Sequence, residues 1–407
     1  MKPYPTHRII LLSAIGLFAV RISCASASNL YVATNGNDAN TCHTPGDPCL
    51  TIQAAVNKSA DGDTINVAAG NYPGAISIFQ RKNLTVAGSS GASISDPGLP
   101  LGSAVITVGQ STSIAFQNLA ISGNPSGVEA VRISNGEAIG VTGCVIQNAS
   151  LGFFINEMST VSISDSIVQQ NDPIGVRVDG NSAVSINSAP FSSATTIIQN
   201  NSQGIFLRSG SLRIHGATVI QNNDVGILGE SGEIKSCCED GDVRKIINNG
   251  TGIQTRDVNV FLRGPLLMEG NTSFAIRQFS GMVRLQDRVT IRGNGASGGT
   301  AVFVTGGHLQ LTGSQAGDIQ IVNNSGIGVL LTDNASSRVL NTSITNNGGN
   351  GMRVQALSTA TLLDGNVMRD NVGFDFFCTP NSFGRGSDAG IKKMFASGFD
   401  KSPDPGP

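Results

Sequence analysis

From about residue 148 onward one hydrophobic–polar phrase recurs: an Asn-rich pair, a Gly or small residue, then apolar side chains at every second position. It reads NASLGFFIN from Asn148, NDPIGVRVD from Asn171, NNSQGIFLR from Asn200 and NNDVGILGE from Asn222. It continues as NNGTGIQTR from Asn248, NNSGIGVLL from Asn323, NNGGNGMRV from Asn346 and DNVGFDFF from Asp370, with degenerate copies at Asn271 and Asn294. Aligned on Gly152, Gly175, Gly204, Gly226, Gly252, Ser273, Ala301, Gly328, Gly351 and Gly373, the copies are 21 to 29 residues apart. Self-similarity at that period is the mark of a solenoid in which each winding stacks on the last. Leucine-rich repeats share the period, but their Leu-rich consensus is missing.

Within a copy the side chains alternate. Val176 and Val178 face one way while Arg177 and Asp179 face the other, and Ile205 and Leu207 oppose Phe206 and Arg208. Period-2 alternation predicts a strand with one buried face. A second strand, as at 161–163 and 211–214, precedes each Asn pair, and no helix-length segment intervenes, which excludes a βαβ arrangement. The asparagines suit sharp bends because Asn tolerates left-handed backbone angles. Stacked ~4.8 Å apart, their amides can also form a hydrogen-bonded ladder. The expected fold is an all-β, single-domain right-handed parallel β-helix with a short N-terminal capping helix.

A solenoid must cover its ends. Thr51 is placed to cap a short helix with Ile52, Ala55 and Val56 as its apolar stripe, Asp61-Gly62-Asp63 turns the chain, and Thr64 to Val67 begins a strand. This divides the chain into a capping segment with a disulfide loop over 28–63, the β-helix over 64–378, and a C-terminal cap with a loose tail over 379–407. Residues 1–27 read as a signal peptide: Lys2, His7 and Arg8 precede a 12-residue apolar core at 9–20, and Ala25-Ser26-Ala27 is a small-residue cleavage site. That core is too short for the ~20 residues that span a bilayer. A secreted or periplasmic protein cleaved near Ala27 is the expectation, with no membrane span; Arg21-Ile22-Ser23 is a poor approach for lipidation at Cys24.

Composition narrows the partners. Charged residues are 13% of the chain, Gly numbers 51, Tyr three and Trp none, and the net charge is −2. No basic stripe shows along the sequence, so nucleic-acid binding by phosphate neutralisation is disfavoured. In an oxidising compartment Cys42 and Cys49, seven apart across a turn-rich loop, read as a disulfide. Cys144 reads as a buried thiol, and the pairing of Cys144, Cys237, Cys238 and Cys378 stays open.

The stretch YVATNGNDANTC from Tyr31 and PCLTIQAAVNKSADGDTINVAAGNYPG from Pro48 resemble the opening of right-handed parallel β-helix proteins of the pectate-lyase-like superfamily. The matching elements are Tyr31-Val32, Gly36, Asp38, Thr51-Ile52-Gln53, the Gly62 to Ile65 turn and Gly70-Asn71-Tyr72. That resemblance implies the fold and a polysaccharide partner. It does not carry an activity, because one fold hosts many. The paired aspartates of polygalacturonases, the Gln-Asp-Thr loop of pectin methylesterases and a pectate-lyase-like acidic calcium cluster are all missing, and Ile214-His215-Gly216 matches only part of the polygalacturonase His motif.

Stacking converts sequence offsets into stripes. Four residues after the alignment positions come Asp179, Arg208, Glu230, Arg256 and Arg277; two residues after come Phe154, Arg177 and Phe206. As a sugar groove, Asp179 and Glu230, two coils or ~9.6 Å apart, are the candidate catalytic pair, with Arg208 between them. Arg177, Phe206, Arg256 and Arg277 are the candidate substrate-binding residues. As a structural feature the same run is a salt-bridge ladder that avoids stacking like charges, and Arg208 would hold both carboxylates ionised, unlike a general acid. The Glu233 to Lys245 insertion offers Glu239, Asp240 and Asp242 as oxygen ligands for calcium, against the plainer reading of a solvated, disulfide-closed loop; no metal or other cofactor is otherwise implied. His215 and His308 are isolated. The reading that results is a monomeric, polysaccharide-binding β-helix protein. The alternatives are a polysaccharide lyase or glycoside hydrolase on an acidic polysaccharide, and a structural surface protein or adhesin.

Overall fold

The computed structural model describes residues 27–188, 194–236, 241–296, 298–386, 390–392, 394–396 and 399–400. The chain winds as a right-handed parallel β-helix. Each winding has three short strands, one more than the repeat phrase reveals. One coil is Leu151–Asn156, Thr160–Ser164 and Ile167–Gln169; the next is Ile174–Val178, Ser182–Asn187 and Thr196–Gln199. The strand before the Asn turn escapes the pattern because it is short and, in several coils, carries apolar residues on both sides. In Thr196–Gln199, Ile198 is buried while its neighbour Ile197 points outward.

Equivalent strands stack in parallel register on three faces. The first two faces are fused into a 28-stranded sheet, since Thr251–Arg263 and Phe274–Gln286 each run unbroken through both; the third face is a 13-stranded sheet. Inward positions form apolar columns such as Ile133–Ile155–Val178–Leu207, every member buried. Burying each such side chain contributes roughly 1.5–3 kcal/mol. The first stacked strand is Asn29–Val32, paired with Thr64–Val67, so the capping segment already belongs to the sheet. Beyond residue 378, Phe383–Gly386 and Met394–Ala396 continue the stacking.

The two asparagines of each turn divide the work. The first sits in the left-handed region: Asn200, Asn222, Asn248, Asn323 and Asn346 have φ of 54 to 56°. The second is buried and builds a ladder through Asn171, Asn201, Asn223, Asn249, Asn271, Asn294, Asn324, Asn347 and Asn371. Each Nδ2 donates to the next Oδ1 at 2.8–3.2 Å. Each backbone N–H donates to that same oxygen. The degenerate copies fit as well: Gly270 and Gly293 take the left-handed position, at φ 68 and 63°, and Asn271 and Asn294 keep the ladder continuous.

Two alignment positions are corrected. Gly252 stacks on Ala275, not Ser273, since Ile253 lies opposite Ile276; Gly351 stacks on Asp375, not Gly373, since Met352 lies opposite Phe376. The turn between ladder Asn and strand varies in length, so a fixed offset slips there. The slip moves Arg277 into the stripe of Arg177 and Phe206, and puts Asp375 in the interior, fully buried.

The N-terminal cap forms as its residues require. Ile52–Lys58 is helical, the Thr51 hydroxyl accepts from the Ala54 N–H at 3.2 Å, and Ile52, Ala55 and Val56 are buried. Cys42 and Cys49 are disulfide-bonded, while Cys144 and Cys378 are buried thiols. Burial pushes the Cys144 thiol up to about 11, so it is inert as a nucleophile at neutral pH. Among the described residues no helix is long and apolar enough to cross a membrane. Residues 1–26, all but the last of the expected signal peptide, and Cys237 and Cys238 lie outside the described residues.

Candidate functional site

Two outward surfaces carry the polar chemistry. On the first face one column runs Arg132–Phe154–Arg177–Phe206–Leu228–Gln254–Arg277–Phe303–Leu330–Arg353–Phe377. Its arginines stand over phenylalanine rings. Arg177 stands 5.2 Å from the Phe154 centroid and 5.7 Å from that of Phe206; Arg277 stands 4.7 Å from Phe279 and 5.2 Å from Phe274. Cation–π contacts of this kind contribute roughly 0.5–2 kcal/mol each. Two of the arginines are also held by acids: Arg132 by both oxygens of Glu129 at 2.8 Å, and Arg177 by Asp179 at 2.8 Å.

Asp179, Arg208, Glu230 and Arg256 occupy consecutive coils at the corner between the first and second faces. The Asp179, Arg208 and Glu230 N–H groups donate to Ile155, Val178 and Leu207, and Thr255 lies opposite Gly229. The run stacks, yet the ion pair that forms is Arg177–Asp179 on one strand rather than Asp179–Arg208 between coils. Two residues apart on one side of a strand, Arg177 reaches Asp179 without crossing a coil. Asp179 Oδ2 takes both Arg177 bonds, and Oδ1 is buried without a hydrogen bond. Arg208, Glu230 and Arg256 are exposed, and Glu230 and Arg256 line a shallow depression with Leu228, Gln254 and Phe279. Of the candidate binding residues, Arg177 and Phe206 are in contact, while Arg256 and Arg277 both stand against Phe279, at 5.8 and 4.7 Å from its centroid.

The second face carries what the linear sequence concealed. One outward column runs Ser185–Arg213–Lys235–Phe261–Arg284–Gln310–Arg338–Thr361–Arg385. The absence of a basic stripe read from the sequence is therefore corrected. The five cations are 22 to 54 residues apart in the chain and become one line only through stacking. From Ser185 to Arg385 this column holds no acid. Lys235 pairs with Glu233 in the adjoining column at 2.7 Å and lies 5.8 Å from the Phe261 ring. Arg263 pairs with Asp287 at 3.3 Å. A pocket opens here, lined by Lys235, Phe261, Arg263, Arg284 and Gln286. The expected Glu233 to Lys245 insertion is corrected at both ends: Glu233 to Ser236 belong to the strand Gly232–Ser236, whose last residue also lines this pocket, and Arg244 and Lys245 open the strand Arg244–Ile247.

Of the remaining candidates, His308 stands on the second face, two residues before Gln310 and in the column of Glu233. Glu239 and Asp240 fall outside the described residues, and among those described no three His, Cys or acidic side chains converge to hold a metal ion. His308 is half-buried with its Nδ1 on the Ser336 hydroxyl at 2.8 Å, and burial lowers its pKa.

A family model described as "Right handed beta helix region" matches residues 74–237. A comparison with curated proteins found no match. Among solved structures, the chain is similar to the A-module of mannuronan C-5 epimerase AlgE4 from Azotobacter vinelandii. The TM-score is 0.52 at 15% identity, over 86% of this chain and 94% of that one. It is also similar to pectate lyase Pel9A (TM-score 0.45, 15% identity, 71% of this chain and 76% of that one) and to a Yersinia enterocolitica family 28 exopolygalacturonase (0.33, 10%, 93% and 78%). At 15% identity the likeness to the epimerase module speaks for the fold alone.

Proposed function

We propose that this chain, a right-handed parallel β-helix protein of pectate-lyase-like architecture, binds acidic extracellular polysaccharide along its second face. One observation carries the reading: a straight column of Arg213, Lys235, Arg284, Arg338 and Arg385 with no acid among them. A column selected for stability alone would alternate in sign, because like charges stacked across a sheet repel. A run of same-sign side chains on one outward column suits a ligand that brings the negative charge. Arginine supports this, since its fork meets a carboxylate or sulfate in two bonds. Phe261 and the neighbouring pocket give the C–H face of a sugar ring an aromatic surface. Export through the 1–27 segment would put the protein where such polymers occur.

Affinity electrophoresis of the full chain through gels containing acidic polysaccharides tests the reading, with mannuronan, the substrate named for the epimerase, among the probes. Retardation that Arg284→Gln reduces about tenfold is expected, the change that losing one charge-assisted contact produces. Duplex DNA binding equal to polysaccharide binding would overturn it. A second reading, cleavage of the polymer by Asp179 and Glu230 flanking Arg208, draws support from the buried Asp179 Oδ1 that accepts no hydrogen bond. Release of reducing sugar or unsaturated uronate, abolished in Asp179→Asn and Glu230→Gln, tests that reading.

A further inference from the structure

The spacing of the cations narrows the ligand, given the reading that the second face binds acidic polysaccharide. From Lys235 onward the cations occupy alternate coils: Lys235, Arg284, Arg338 and Arg385 are separated by Phe261, Gln310 and Thr361. At ~4.8 Å per coil they recur every ~9.6 Å. An extended pyranose chain advances nearly one coil spacing per sugar, so this interval corresponds to a disaccharide.

We propose that the second face selects glycans carrying one anionic group per disaccharide. In such a polymer each anion meets a cation, and the intervening neutral sugar lies on Phe261, Gln310 or Thr361, which offer a ring face, an amide and a hydroxyl. A homopolymer with an anion on every sugar sets half of its charges against those neutral residues, desolvated and without a counter-charge. Repulsion between neighbouring cations does not by itself explain the gaps. Arg213 and Lys235 stand on adjacent coils, so the scaffold tolerates the juxtaposition. Nor does pairing fill them: at the corner the gaps between cations hold acids, as in Arg208–Glu230–Arg256, whereas here they hold an aromatic and two uncharged polar residues.

Affinity electrophoresis of the full chain in hyaluronan, whose uronate alternates with a neutral amino sugar, in polygalacturonate, with a carboxylate on every sugar, and in dextran tests the proposal. Per carboxylate, hyaluronan is expected to bind about tenfold more tightly than polygalacturonate. The double variant Gln310→Lys, Thr361→Lys puts a cation on every coil from Arg284 to Arg385, and is expected to raise polygalacturonate affinity about tenfold while hyaluronan affinity changes little. If the unaltered chain holds polygalacturonate as tightly as hyaluronan, the spacing inference falls and the polysaccharide function stands. If neither polymer binds above the dextran level, the function itself falls. A double variant with an unchanged circular-dichroism spectrum and an unchanged preference also overturns the inference; should the double variant not fold, Gln310→Lys alone serves as the same test.

Discussion

Asn371 donates its backbone N–H and its side-chain amide to one oxygen of Asp375, four residues on, at 3.2 and 2.8 Å. Every earlier rung of the ladder passes its two donors to the Oδ1 of the next asparagine, so the last rung needs an acceptor. The Asp375 carboxyl oxygen supplies it. Asp375→Ala is expected to lower stability by about 2–4 kcal/mol by stranding two buried donors, and Asp375→Asn by less. Urea unfolding midpoints compare them; equal losses would show that the acceptor oxygen is not what matters.

The two asparagines of a turn are expected to respond differently. Asn222→Gly keeps the left-handed angle at φ 55° and shifts the unfolding midpoint little, since Gly adopts that conformation freely. Asn223→Ala removes the acceptor used by both donors of Asn201 and costs about 2–4 kcal/mol. Losses of the same size at both positions would contradict this division of work.

Arginines on the two faces separate in the same way. Arg177→Gln gives up Asp179 and two aromatic rings, and the melting temperature is expected to fall with polysaccharide retardation unchanged. Arg284→Gln should weaken retardation with little change in melting. A reversed outcome would move the binding surface to the first face.

Stability is expected to depend on pH through two groups of opposite chemistry. Burial lowers the His308 pKa from its ordinary 6.5, so the unfolded chain takes up the proton first and stability is lost as pH falls through that region. His308→Gln should flatten this limb. At Asp63 burial raises the pKa, but N–H bonds from Ala60 and Ser28 and the Ser28 hydroxyl outweigh it and hold the group below 3.8. Its contribution is present above that value and lost as pH falls through the lowered one. Asp63→Asn should remove this acid limb in chemical-denaturation curves taken across pH.

The Cys42–Cys49 link closes a short loop over the cap, where the Cys49 N–H donates to Tyr31 and the Tyr31 N–H to Cys42. Double substitution by Ser is expected to cost about 2.5 kcal/mol in the loop-entropy picture. Loss of protease resistance confined to residues 28–63, seen by mass spectrometry of early fragments, checks that the effect is local.

Several features were legible before any coordinates. Thr51 as a cap, the apolar stripe of Ile52, Ala55 and Val56, the Cys42–Cys49 pair and the turn asparagines each follow from preferences shared by a few adjacent residues. The coil period was legible too, because alternating strands and Asn pairs recur whatever the turn between them does. The third strand was not, since Ile197 and Ile198 are both apolar and only one faces the core. Nor was the Arg177–Asp179 pair favoured over Asp179–Arg208, which is decided by side-chain reach on a finished surface.

What the amino-acid order determined by itself is the kind of object: a stack of short strands bent at asparagines. What only the tertiary structure decided is which residue lies above which. Turns of unequal length separate the ladder asparagines from the strands that follow, so a fixed offset slips by two residues at Ser273 and again at Gly373. Asp375 thereby comes to lie inside, at the end of the ladder, Arg277 changes stripe, and five cations scattered between Arg213 and Arg385 become one line. Their alignment is a property of coils held in register by backbone hydrogen bonds, which no stretch of the chain shorter than several windings contains.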